Sequence, residues 1–276
     1  MVYRDDKDLE GIEPQNIYDD EVFFQGYKSL RQNDAGLNGA LEVPALRSLL
    51  PDLSGLHVLD LGCGFGDFAR FARARRAASV TAIDISTRML EQAAVLTNDT
   101  AITYLHCALE EYEPGAEIFD RAISSLVLHY IRDYSKVVRT VRCALKPGGR
   151  FVFSVEHPIC TANPIGWVRD SDAHPMFWPV DLYSREGSRS TRWFVDGVVK
   201  YHRTTATYVN TLIRSGFSIT RLDEPTPTRE ALAARPVLQH DCRRPPFLLL
   251  SAVRSFTAGN DRPVSETVTS GRSLRD

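Results

Sequence analysis

Cysteine is scarce in this 276-residue chain: five in all (Cys63, Cys107, Cys143, Cys160, Cys242), scattered and odd in number, with no Cys-x-x-Cys pair. That usage excludes a disulfide framework and a zinc ribbon, and fits reduced thiols in a cytoplasmic protein. No His-x-x-x-His pair and no tight group of histidines and carboxylates occurs, so no metal is expected. Long apolar runs are missing too. The longest, such as Phe247 to Val253, have strand length, far short of the roughly 20 residues of a membrane span. The start, Met-Val-Tyr-Arg-Asp-Asp, lacks an apolar signal core, so no export is expected. The net charge is only −2 and no basic stripe with interleaved aromatics appears, which argues against binding nucleic acid through charge. Internal repeats and coiled-coil heptads are absent.

What is present is an alternation of strand and helix patterns. Val58 to Leu61 reads as a strand that runs into Gly62-Cys63-Gly64-Phe65-Gly66, and a helix follows. Ser79 to Ile85, Ile102 to Cys107, Phe119 to Ser124 and Arg150 to Val155 read as further strands, with helices over Thr87 to Thr97 and Tyr134 to Leu145. This rhythm predicts βαβ units and a mostly parallel sheet with helices on both faces. Thr205 to Ser215 is a further helix, and Phe217 to Leu222 and Phe247 to Val253 bring the expected sheet to seven strands. Five segments result: a helical N-terminal lid (1–52), a Rossmann-like α/β core (53–156), an aromatic-rich cap inserted after the fifth strand (157–203), the rest of the core (204–256), and a disordered tail (257–276). Within the cap, Asp196-Gly197 between two alternating runs predicts a two-residue hairpin turn.

Two acids carry the chemistry of the core. Asp60 ends the first strand, before glycines that let the backbone approach a ligand without a Cβ clash. Their alternating spacing is not the Gly-x-Gly-x-x-Gly of dinucleotide binding, which disfavours an NAD-dependent dehydrogenase. Asp84 ends the next strand, about 20 residues on, where a carboxylate can accept both hydroxyls of a ribose. Met89 follows on a helix, where it packs against an adenine or simply into the core.

Asp60-Leu61-Gly62-Cys63-Gly64-Phe65-Gly66, Asp84-Ile85-Ser86 with Met89-Leu90, Phe119-Asp120 to His129, and Leu145-Lys146-Pro147-Gly148-Gly149-Arg150 resemble the successive motifs of class I S-adenosylmethionine-dependent methyltransferases. The resemblance implies S-adenosyl-L-methionine as cofactor. Asp60, Gly62, Cys63, Gly64 and Gly66 would hold its methionine moiety. Asp84 would take the ribose, Ile85 and Met89 would flank the adenine, and the backbone of Ser124 and Ser125 would lie beside the sulfonium. Where many relatives place an adenine-binding Asp, this chain has Ala108, which passes the contact to backbone near Leu109 or to Glu110. The lid, the loop after the fifth strand and the cap together resemble a bacterial subgroup acting on small molecules. The expected reaction is methylation of carbon or nitrogen of an aromatic, indole-like metabolite of secondary metabolism, by a monomer or homodimer.

Methyl transfer from a sulfonium needs alignment, plus a base where the nucleophile must lose a proton. The acceptor would sit beyond the carboxyl ends of the strands. In the lid, Tyr18 and Tyr27 are placed to shield the sulfonium, Arg31 to bind a cofactor or acceptor carboxylate, and Phe24 to face the acceptor; the plainer readings are an amphipathic helix covering the sheet and, for Arg31, an exposed salt bridge. Tyr27 also stands among the candidate catalytic groups, with His129, Glu156, His157 and His202. For His129 a structural role competes, and for Glu156 and His157 a loop anchor before Pro158. Trp178, Tyr183, Trp193 and Tyr201 would join His129 and His157 in enclosing the acceptor, or else build the cap's own small core. The rival functions are an RNA or protein methyltransferase and a non-catalytic S-adenosylmethionine-binding protein. Against amino-methylating enzymes of DNA and protein, the segment after the fourth strand reads Ser124-Ser125-Leu126-Val127, not Asn/Asp-Pro-Pro-Tyr/Phe.

Overall fold

A computed structural model of the chain describes residues 2–3, 14–32, 36–163 and 165–256. The tail expected to be disordered, 257–276, lies outside the described residues. The N-terminal part contributes a short strand β1 (Val2–Tyr3), a 3-10 turn at Ile17–Asp19, helix α1 (Glu21–Gln32), a π-helical turn at Asn38–Glu42 and helix α2 (Val43–Ser48). Five strands then alternate with helices: β2 (His57–Leu61), α3 (Asp67–Ala74), β3 (Ser79–Asp84), α4 (Thr87–Val95), β4 (Ile102–His106), β5 (Phe119–Ser125), α5 (Tyr134–Ala144) and β6 (Leu145–Glu156). An insertion carries α6 (Pro158–Thr161), β7 (Val168–Arg169), β8 (Pro175–Phe177), β9 (Gly187–Trp193) and β10 (Val195–His202). The core resumes with α7 (Thr205–Arg214), β11 (Phe217–Asp223), α8 (Arg229–Ala234) and β12 (Phe247–Arg254).

The seven-stranded sheet runs β11-β12-β6-β5-β2-β3-β4. Strands β2 to β6 pair in parallel, whereas β12 is antiparallel to both β6 and β11. This is the expected Rossmann-like sheet, with the insertion after the fifth core strand. Central strands are buried on both faces, from Val58 to Leu61 and from Phe247 to Ala252, as a sheet covered by helices on each side requires. Local chemistry starts the helices. Ser86 Oγ accepts from the Met89 N–H at 3.1 Å, Asp133 Oδ1 from Lys136 N–H at 2.8 Å, and Thr204 Oγ1 from Thr207 N–H at 3.1 Å, which satisfies an amide left open at each N-terminus.

Two local expectations are corrected. The fifth core strand begins at Leu145 rather than Arg150, because the chain turns straight from α5 into pairing with Phe119. The insertion's hairpin does not turn at Asp196-Gly197. Trp193 and Val195 face each other across Phe194 (φ +58°), and Asp196-Gly197 falls in the register shift between Val195 and Val198. Packing decides this: the Phe194 ring stacks on Trp193 at 5.1 Å and meets Phe23 of α1 edge-on at 5.5 Å. Gly197, at φ +82°, serves as the left-handed residue of a bulge. Strand β1 adds to β9, so the N-terminal part and the insertion share one small sheet.

Candidate active site

The parallel strands end together at β2 and β3, and the first acids of the site lie at those ends. Gly62 turns the chain at φ +74°, and its amide and that of Cys63 both donate to Ile83 O at 2.8 Å. A Cβ on Gly62 would meet Val127 Cγ2 at 2.2 Å, so no larger residue fits this turn. Asp84 spans the glycine loop and the next helix start: Gly64 N–H donates to its Oδ2 at 2.8 Å and Ser86 N–H to its Oδ1 at 2.9 Å. Burial pushes the Asp84 carboxyl up, and these two amides oppose the shift. Each oxygen keeps a lone pair for a hydroxyl.

Asp60 is buried beside it, and its Oδ2 has no hydrogen-bond partner among the described residues. Burial, then the charges of Asp84 and Asp67, push the Asp60 carboxyl up to about 8. An unpaired buried carboxylate oxygen is costly. A cationic ammonium placed against it removes that cost, so Asp60 fits the amino end of a methionine-like group. With Gly62, Cys63 and Gly64, Asp60 and Asp84 line a cavity of about 1240 Å³, to which Ile85, Met89, Leu109, Glu110 and Ser125 also contribute. The residues present therefore suit an adenosine carrying a methionine tail.

Known proteins resemble this chain over the same core. The family described as the methyltransferase domain matches residues 59–153. A protein of Haemophilus influenzae of uncharacterized function is 34% identical over 86% of this chain and 96% of its own. The malonyl-[acyl-carrier protein] O-methyltransferase of Salmonella typhimurium is 33% identical over 48% of each chain. The crystal structure of an S-adenosylmethionine-dependent methyltransferase from Mesorhizobium loti superposes with a TM-score of 0.74 at 48% identity, covering 79% of this chain and all of the other. The chain belongs to the S-adenosylmethionine-dependent methyltransferases.

In this methyltransferase the N-terminal part is pinned beside the acids at the strand ends. Asp19 accepts from Ser86 Oγ at 2.6 Å and from the amides of Thr87 and Arg88 at 3.3 and 3.1 Å, and Asn16 Nδ2 donates to Ile85 O at 3.2 Å. Tyr18, Tyr27 and Arg31 line the cavity from this side. Tyr18 meets Tyr27 edge-on at 5.3 Å and Tyr130 at 6.2 Å, and Tyr27 meets Trp193 at 6.1 Å. Burial holds the Tyr27 phenol up at about 12, so it stays protonated at neutral pH. Arg31 pairs with Asp67 at 2.7 Å.

On the acceptor side, His129, Glu156, Trp178 and Trp193 line the same cavity. The Glu156 N–H donates to His129 Nδ1 at 3.3 Å, which leaves the ring proton on Nε2. Burial, then Lys200, push His129 down to about 3, so its ring is neutral. Burial would raise Glu156, but Lys200 above all overcomes this and holds the carboxyl below its ordinary range; Lys200 Nζ donates to Glu156 Oε2 at 2.6 Å.

Other expected residues lie outside the lining. His157 is buried, with Nε2 on Glu224 Oε1 at 2.8 Å and Nδ1 accepting from Ile159 N–H at 3.1 Å. His202 is likewise buried between Thr161 Oγ1 at 2.6 Å and Tyr183 O at 2.8 Å. Tyr183 bonds Thr205, and Tyr201 lies under the Arg203 guanidinium at 5.6 Å. Phe24 packs on Phe65, Ser124 Oγ donates to Leu61 O, Ala108 is buried, and Gly66 caps α3. The sequence reading missed Asp19, Tyr130, Lys200 and Arg244. Lys200 alone had a signal, its place on the alternating run of the hairpin.

Proposed function

We propose that this methyltransferase acts on a small aromatic metabolite, indole-like in shape, at carbon or nitrogen, within secondary metabolism. The observation that carries the reading is a cavity of about 1240 Å³ lined both by Asp60 and Asp84 and by Trp178 and Trp193 of the insertion. Small-ligand sites commonly measure about 300–1,000 Å³, so this one accommodates a nucleoside cofactor and a second small molecule together.

S-adenosylmethionine supplies the electrophilic methyl group. Asp60 would hold the ammonium of its methionine tail and Asp84 its ribose hydroxyls, while Met89, Ile85, Leu109 and Glu110 would surround the base. The phenol faces of Tyr18 and Tyr27 keep water from the sulfonium. His129 donates from Nε2–H and orients the acceptor, while Trp193 and Trp178 cover its ring. Glu156, ionised beside Lys200, would accept the proton that the acceptor's N–H must lose when it takes the methyl group. His157 and His202, with both ring nitrogens engaged inside the protein, act as anchors of the loop and the cap.

Incubation with methyl-labelled S-adenosylmethionine and a panel of indoles, pyridines, phenols, tRNA and unfolded protein tests this. Label should enter a small aromatic nitrogen heterocycle. Label in RNA or protein, or none in any acceptor despite tight S-adenosylhomocysteine binding, rejects the proposal.

A further inference from the structure

The acceptor half of the cavity holds more positive charge than the mechanism uses. Lys200, Arg189 and Arg244 line it, and Glu156 is the acid facing them from the strand ends. Glu156 is engaged by Lys200 at 2.6 Å. Arg189 is buried and directs its guanidinium to main-chain carbonyls, Gly187 O at 3.3 Å and Ser188 O at 3.1 Å among them.

Arg244 stands just before β12, in the sequence Arg243-Arg244-Pro245-Pro246. Its Nε–H is buried without an acceptor among the described residues. Its Nη1 has the Cys160 sulfur at 3.4 Å, a weak partner, and its Nη2 lies 3.3 Å from Asp241 Oδ1. Burial pushes the Asp241 carboxyl up, and the Arg244 charge opposes that shift. The guanidinium also lies 4.0 Å over the Trp178 ring, itself part of the lining and fixed by Nε1–H donating to Ile159 O at 3.0 Å. A largely desolvated guanidinium, with one ion pair, one N–H lacking an acceptor among the described residues and one face on an aromatic floor, matches a planar acid. A positive methylsulfonium in the neighbouring half adds to the repulsion that an anion there would relieve.

We infer that the acceptor is an aromatic carboxylate, its acid group held in the field of Arg244 and its ring against Trp178. The inference rests on the small-molecule methyltransferase reading and narrows its substrate class.

The test titrates protein saturated with S-adenosylhomocysteine with benzoate and indole-3-carboxylate, and with the neutral benzamide and indole-3-carboxamide. Tryptophan fluorescence reports binding, since Trp178 and Trp193 face the cavity, and calorimetry checks it. The acids should bind about tenfold tighter than their amides. Arg244→Gln should erase that preference, Arg244→Lys should keep part of it, and Asp241→Asn, which frees the guanidinium, should widen it by a few-fold. All three variants should bind S-adenosylhomocysteine as the parent does. Acids and amides binding alike, no acid binding, or an undiminished preference in Arg244→Gln overturns the inference. The Lys and Asn variants decide the matter even where the Gln variant misfolds. A preference for acids in a protein with no affinity for S-adenosylhomocysteine would instead reject the methyltransferase reading, and with it the acceptor role, and leave Arg244 as a carboxylate-binding site only.

Discussion

At the scale of single residues, the two strand-end acids do different work, and their environments say which. Asp84 is already satisfied by two amides and keeps spare acceptor capacity. Its replacement, Asp84→Ala, should weaken S-adenosylhomocysteine binding about 10- to 100-fold, since hydrogen bonds to a charged group contribute about 1.5–3 kcal/mol; calorimetry reads this directly. Asp60, pushed up to about 8 mainly by burial, makes a prediction in pH. A carboxyl whose folded value exceeds its unfolded one binds its proton more tightly when folded. Its contribution to stability is therefore full below about 4, the ordinary carboxylate value, and is lost as pH rises through about 8. Relative to the parent, Asp60→Asn should gain melting temperature steadily from pH 5 to pH 8 in the free protein. Saturating S-adenosylhomocysteine, whose ammonium favours the ionised acid, should flatten the parent's slope; a difference independent of pH would reject the assignment. These acids were legible in the sequence because glycine loop and carboxylate are neighbours along the chain. Asp19 and Lys200 were not, since their partners lie 67 and 44 residues away. The imidazoles mislead for the complementary reason: a histidine's type announces proton chemistry, but only folding reveals that His157 and His202 have both nitrogens occupied.

At the scale of elements, strands and helices of the core followed their periodicity closely, while the insertion followed its contacts. Asp196-Gly197 has the local preference for a turn, yet the chain folds back at Phe194, where the ring docks on α1. That docking makes α1 and the hairpin one mechanical unit. A Cβ at Gly26 would sit 2.6 Å from Phe194 Cδ1. Gly26→Ala gains about 1 kcal/mol of helix propensity but wedges the two elements apart. The melting temperature should stay within about 2 °C of the parent, and release of S-adenosylhomocysteine in stopped-flow should quicken several-fold. Phe194→Ala should give a similar rate, and the double variant no further increase, because the two changes act on one contact.

At the scale of the molecule, the architecture separates two tasks. The acids that suit the cofactor come from β2 and β3, in the region where the family match lies. Much of the opposite wall comes from the stretch between β6 and α7, joined to the rest by the ion pair of Glu156 with Lys200 and by Gln15, whose Oε1 accepts from Val199 N–H at 2.8 Å. Among the described residues no helix is long and apolar enough to cross a membrane. An insertion that leaves and re-enters at fixed points of a sheet behaves as an exchangeable fitting. Grafting residues 157–203 of the Mesorhizobium loti protein's equivalent stretch, together with the segment before β12, onto this scaffold should transplant that enzyme's choice of acceptor and leave nucleoside affinity where it was. On the proposed reading evolution has the same freedom: new substrates can be tried on one wall while the methyl donor's berth is left alone.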